Sequence, residues 1–167
     1  MPLELNRFLY DHFDPEGYFE LHGKKVYITD KMVGKFFGIR YTGEKLEKDV
    51  EENKSREFAI QLGMKRATVK VSEFTEWFSK PENKCLLTDE WKRRVVMLVL
   101  GFFGLPSVRQ GLRSDLASYV MDLEKLKNVN WAGTWLDFLK KEQKKAIDSD
   151  RESLGGCTMI LIVSFTL

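Results

Sequence analysis

Leu3, Leu5, Phe8, Leu9, His12 and Phe13 recur near helical spacing, which predicts an amphipathic helix at the start of the chain. Asp14-Pro15-Glu16-Gly17 ends it with turn residues. Phe19-Glu20-Leu21 and Val26-Tyr27-Ile28 alternate apolar and polar on either side of His22-Gly23-Lys24-Lys25, the pattern of a small β-hairpin in which Phe19 and Leu21 meet Val26 and Ile28. Thr29 is placed to cap the next helix, Met32, Val33, Phe36 and Phe37 form its apolar stripe, and Gly38 stops it. From Glu44 to Glu57 the pattern breaks: ten of these fourteen residues are charged, with both signs present. The segment reads as a solvated loop or an exposed helix, and as the place for a flexible excursion.

The apolar pattern then resumes. Ser72 is positioned to cap a short helix through Phe74, Trp77 and Phe78 that Pro81 stops. Thr88 is positioned to cap a longer one through Trp91, Val95, Leu98, Val99, Phe102 and Phe103, closed by Gly104 and Pro106. After Arg94 this segment is apolar on every side, which predicts the central element of the core. Gly101 within it costs about 1 kcal/mol against Ala, an amount that close packing can offset. Leu112 to Leu126 reads as a helix or two short turns, with Leu116, Tyr119, Val120, Leu123 and Leu126 facing inward. Asn130 caps an amphipathic helix carrying Trp131, Trp135, Phe138 and Leu139 at i, i+4, i+7 and i+8. Lys140, Lys141, Lys144 and Lys145 crowd its C-terminal half, where cations suit the helix dipole. The expected fold is mainly α, a compact helical domain with one small N-terminal β-hairpin.

Composition narrows the function. The chain has 167 residues, enough for the core of one domain, and the 43% apolar fraction calls for a folded protein. Its 27 basic and 25 acidic residues leave a net charge of only +2, too little for a whole-protein field that gathers nucleic acid or anionic lipid. Cys85 and Cys157 make no secreted cysteine framework, and Met1 to Tyr10 has neither a signal-peptide nor a transit-peptide pattern. These features point to an intracellular protein of the nucleus or cytoplasm. The apolar runs Cys157–Leu167 and Val95–Leu105 fall short of the ~20 residues a bilayer span needs, so no transmembrane segment is expected.

Several motifs in order resemble the plant mobile domain group of transposon-derived proteins. The hairpin leading into a Thr-capped helix that ends Phe36-Phe37-Gly38-Ile39 is similar to the opening of those domains. The same opening occurs in the plant transposon-associated segment that precedes ubiquitin-like protease domains, often behind a stretch like Phe13-Asp14-Pro15-Glu16. Arg93 to Phe103 resembles the family's central apolar helix, Asp122-Leu123 with Asn130-Trp131-Ala132 its entry to the next helix, and Leu154-Gly155-Gly156-Cys157 the start of a buried apolar helix. The resemblance runs from about Leu5 to Leu167 and is weakest between Glu44 and Ser72. It implies a helical interaction domain without the protease, apparently truncated inside its last helix. On that reading Ile160, Ile162, Val163 and Phe165 form an exposed patch and a candidate partner surface.

Catalytic chemistry finds little to work with. A cysteine protease needs a thiolate, a nearby His and an orienting carboxylate, and here Cys157 stands at the mouth of an apolar segment with only His12 and His22 as bases. The bland alternative, a packed core cysteine, fits better. Two histidines ten residues apart with no Cys-x-x-Cys make no recognisable metal set. Gly155-Gly156 lacks the flanking residues of a phosphate loop. Basic clusters at Lys65-Arg66, Lys92-Arg93-Arg94, Arg109 with Arg113, and Lys140 to Lys145 are candidate phosphate contacts, with Lys92, Arg93, Arg94, Lys140 and Lys141 foremost. Acidic residues interleave with them, so nucleic acid is possible but not favoured. The expectation is a non-enzymatic protein–protein interaction module derived from a plant mobile element, with no cofactor. Its partner is another protein, with self-association through the C-terminal helix as one form. Two alternatives stand beside it: a chromatin or nucleic-acid-associated module, and a small effector or toxin-like product of a selfish locus acting through its apolar C-terminus.

Overall fold

The computed structural model describes residues 3–46, 52–64, 68–83, 87–106, 111–150 and 158–163. In chain order the elements are α1 (Leu3–His12), β1 (Phe13–Asp14), β2 (Tyr18–Leu21), β3 (Lys24–Tyr27), α2 (Asp30–Phe37), α3 (Glu52–Gln61), β4 (Thr68–Val69), α4 (Val71–Ser79) and α5 (Asp89–Val99). A π turn, Leu100–Gly104, continues α5. Then follow β5 (Leu112–Arg113), the 3-10 turns Ser114–Val120, α6 (Leu123–Leu126), α7 (Trp131–Asp148) and α8 (Met159–Val163). The fold is mainly α with a small antiparallel sheet near the N-terminus. Cys85, Cys157, Lys65, Arg66, Arg109, Gly155 and Gly156 lie outside the described residues.

The chain gathers into two compact units, Met1–Leu46 with Val129–Leu167, and Glu47–Asn128. In the first, β2 and β3 form the expected hairpin, and β1 adds a third antiparallel strand with Phe13 opposite Phe19. The turn is tighter than the sequence suggested. His22 (φ 50°) and Gly23 (φ 72°) alone make it, both in the left-handed region that a two-residue primed turn requires. Phe19 consequently pairs with Val26, while the Ile28 N–H donates to Gly17 O at 2.9 Å.

Local chemistry sets the ends of α2. Thr29 Oγ1 accepts from the Met32 N–H at 3.3 Å, and Gly38, at φ 65°, takes the left-handed position that ends a helix. The buried side of α2 is Val33 and Gly34, with Phe37 set edge-on to Trp135 of α7 at 5.9 Å. Phe36, expected in the stripe, is half exposed (50%), whereas Gly34, against which the Tyr41 side chain packs, is buried. The first turn of α7 has its orphan amides met from outside. Asn130 Oδ1 accepts from the Gly133 N–H at 2.8 Å, and Arg40 O accepts from the Ala132 N–H at 3.0 Å. Phe13, Phe19, Ile28, Val33, Leu136 and Leu139 are among the buried apolar residues of this unit, as are Ile160 and Leu161.

In the second unit, part of the charged segment is helical: α3 carries Glu52–Gln61, so residues 52–57 are no loop. Ala59 and Leu62, both buried, anchor the end of this helix against the 3-10 turns Ser114–Val120. Residues 47–51 lie outside the described residues. α4 begins two residues earlier than a Ser72 cap would set it, with Lys70 at the cap position and no side-chain cap bond. Thr88 Oγ1 does cap α5, accepting from the Trp91 N–H at 3.2 Å. Gly101 is where close packing is needed, since a Cβ there would strike Leu112 and crowd Leu116. Met97, Leu100, Leu105, Leu112, Leu116 and Val120 fill the core around that contact.

Candidate functional site

The expected central helix is central on one side only. Met97 and Leu100 are sealed, but Val99, Phe102 and Phe103 are 42%, 50% and 60% exposed. They fall within five consecutive residues, where α5 passes into the π turn, and together form an apolar strip. Gly101 faces Leu112 and fixes which side is inward, so the two phenylalanines beyond it face solvent. A buried aromatic ring removes ~150–250 Å² from water, so two half-exposed rings and a valine leave an apolar patch on the order of 300 Å². The largest apolar patch on a monomeric protein is about this size, and such patches often serve a function.

The second feature lies on the same helix, at Arg94. Its residue exposure is 5%, and its guanidinium lies 4.5 Å from the Trp77 ring centre and 5.1 Å from that of Phe74. Nε and Nη2 both donate to Glu90 Oε1, at 3.1 and 2.9 Å. Burial pushes this guanidinium below its usual range, and the hydrogen bond and charge of Glu90 act the other way. Arg94 borders a cavity of about 250 Å³ walled by Leu62, Gly63, Val69, Phe74 and Trp77. Glu73, Glu76 and Lys80 stand at its exposed mouth.

Residues 1–162 match the sequence model of a family described as a domain of unknown function, DUF8566. The chain belongs to the DUF8566 family. No curated protein and no solved structure matches it.

Each of the foremost basic residues of this DUF8566 domain has its own local setting. Lys92 Nζ is 3.1 Å from Asp89 Oδ1. Arg93 donates from Nη2 to Met121 O at 3.5 Å and lies over the Phe58 ring, while its Nε is sealed without a hydrogen-bond partner. Arg94 is the buried partner of Glu90. Lys140 and Lys141 belong to the other unit, where the Lys140 stem lies against Gly17 and Lys141 is exposed. In the C-terminal segment Ile160 is 1% exposed, so it belongs to the core and not to an exposed patch. Ile162 and Val163 lie in α8 with their side chains outside the described residues, and Phe165 is outside them altogether.

One polar cluster had no sequence signal. Lys45 Nζ stands 3.0 Å from Asp137 Oδ2 and 3.7 Å from Asp30 Oδ2, and Asn130 Nδ2 donates to Asp30 at 2.9 Å. Burial alone would lower the Lys45 ammonium, but the hydrogen bond and charge of Asp137, aided by Asp30, outweigh it and raise it above the usual lysine range. A lysine held protonated in this way is a poor nucleophile or base near neutral pH. The cluster therefore acts as a clasp tying residues 44–46 to α7, together with the Leu46 N–H donating to Thr134 Oγ1 at 2.9 Å. A wider recess of about 660 Å³ in the same unit is lined by Asp11, His12, Asp14, Tyr18 and Glu20 among others. Among the described residues, no three His, Cys, Asp or Glu side chains are grouped so as to hold a metal ion. No helix among them is long and apolar enough to cross a membrane.

Proposed function

We propose that this chain is a non-enzymatic protein-interaction module that docks a partner protein on the apolar strip of Val99, Phe102 and Phe103. The observation that carries this reading is the exposure of two adjacent phenylalanine rings, 50% and 60%, on a helix whose opposite side is fully packed. Aromatic anchors of this kind supply most of the affinity at protein interfaces when a partner seals them from water. The engaged state of Lys92, Arg93 and Arg94 supports a protein partner over nucleic acid. The resemblance of the opening hairpin and capped helix to plant mobile domains supports an origin in a mobile element, and with it a nuclear or cytoplasmic place of action.

The test is the double variant Phe102→Ser with Phe103→Ser. Circular dichroism should be unchanged, because neither ring is in the core. Partners retained by the wild-type chain from its source tissue, and any self-association seen by sedimentation, should be lost. A folded double variant that keeps every partner refutes the docking role. Binding that weakens steeply with salt and survives the double variant would favour the nucleic-acid reading instead.

A further inference from the structure

We propose that the Arg94 cavity is a binding site for a small zwitterion, an apolar α-amino acid or a molecule of that build. It is separate from the apolar strip and does not depend on that reading. The argument starts from the guanidinium. One edge, Nε with Nη2, is occupied by Glu90, but Nη1 has no hydrogen-bond partner among the described residues. Arg94 is 5% exposed and borders the cavity, so donors left over from Glu90 have the cavity to open on. Its plane is held by Trp77, Phe74 and Glu90 before any ligand arrives. A rigid fork with an open end suits a carboxylate, and pre-organisation removes much of the ordering cost of binding.

Charge then selects among carboxylates. Arg94 and Lys80 are positive, whereas Glu90, Glu73 and Glu76 are negative, so the surroundings carry one net negative charge. A dianion such as phosphate would be repelled at the mouth. A ligand with a carboxylate against Arg94 and an ammonium towards Glu73 and Glu76 complements both ends. Leu62, Val69 and the Phe74 ring offer apolar wall to a side chain between them. At about 250 Å³ the space holds one small molecule, with the few convergent polar groups typical of such sites.

The experiment titrates the full chain with three probes of one shape: L-valine, isovalerate (no ammonium) and isobutylamine (no carboxylate). The readouts are the Gly63 amide and the Trp77 indole N–H, the latter identified by its loss in Trp77→Phe. Valine should give saturable shifts at both, isovalerate should bind clearly more weakly, and isobutylamine should not bind. Arg94→Lys should weaken valine by about tenfold or more, the effect of losing a bidentate charge-assisted pair. Glu73→Gln with Glu76→Gln should weaken valine and strengthen isovalerate. That opposed pattern is read on exposed positions with Arg94 intact, so it decides the matter even if Arg94→Lys does not fold. No saturable shift with any probe overturns the site, and isovalerate binding as tightly as valine overturns the zwitterion.

Discussion

Glu90→Gln is the sharpest probe of how Arg94 is held. The side chain of Arg94 is 6% exposed and that of Glu90 45%. Breaking a fully buried pair by removing one partner costs about 3–5 kcal/mol, and breaking an exposed one about 0.2–1 kcal/mol. This pair has one member in each regime. The guanidinium also keeps its stacking on Trp77 and Phe74 and its opening on the cavity. The loss should therefore fall between the two limits, at about 2 kcal/mol. Arg94→Met makes the opposite change: it removes the buried charge, keeps most of the contact with the two rings, and releases Glu90 to water. It forfeits a cation–π interaction worth about 0.5–2 kcal/mol but also the desolvation of the guanidinium, and should stay within about 1 kcal/mol of wild type. Urea unfolding by circular dichroism reads both, a 2 kcal/mol loss moving the midpoint by roughly 1 M. Because the chain has two compact units, hydrogen exchange at the Met97 and Leu100 amides shows that the Glu47–Asn128 unit is the one affected. The reasoning fails if Glu90→Gln is neutral while Arg94→Met loses 2 kcal/mol or more.

Other predictions follow from the same geometry. Asn130→Ala removes both the cap on α7 and the bond to Asp30, and should cost about 1–2 kcal/mol in urea unfolding. Ile160→Ala should cost about 2–4 kcal/mol, as a core truncation does, where an exposed residue would lose almost nothing. Lys45 is raised by its carboxylates and Tyr119 by burial, so each favours the protonated form in the folded state. Their contribution should be complete below pH 10 and lost as pH climbs through their folded values. A Lys45→Met, Tyr119→Phe chain should show a smaller alkaline loss of stability than wild type.

Features written in adjacent residues were legible beforehand. Thr29, Thr88 and Asn130 each place a side-chain oxygen just ahead of an apolar run, and each caps its helix in the structure. Whether a side chain is buried was much less legible, since burial depends on what faces it from elsewhere. Phe36, Phe102 and Phe103 read as core by character, yet on their elements the close contacts fall at Gly34, against Tyr41, and at Gly101, against Leu112. Leu112–Leu126 read as helix or turns because its leucines fit either period. It begins as a strand edge because Leu112 pairs with Val69. By sequence Arg94 is one of three adjacent candidate phosphate contacts, Lys92-Arg93-Arg94. The signal that marks it out is Glu90 four residues earlier, together with the aromatic pair on α4. The Lys45 clasp joins residues 92 apart in the chain, beyond the reach of any local pattern.

A unit built from Met1–Leu46 and Val129–Leu167 is stitched from segments that leave the ribosome at different times. Glu47–Asn128 is complete in one continuous stretch, so it can acquire its core while the later partner of the first segment is still being synthesised. Joining the outer segments afterwards means closing a loop over that whole stretch, and such closure depends only weakly on length, about 0.6 kcal/mol per doubling. Extra residues inserted within the inner stretch should thus burden the outer unit very little, which leaves the middle of the chain the freer part to vary in length.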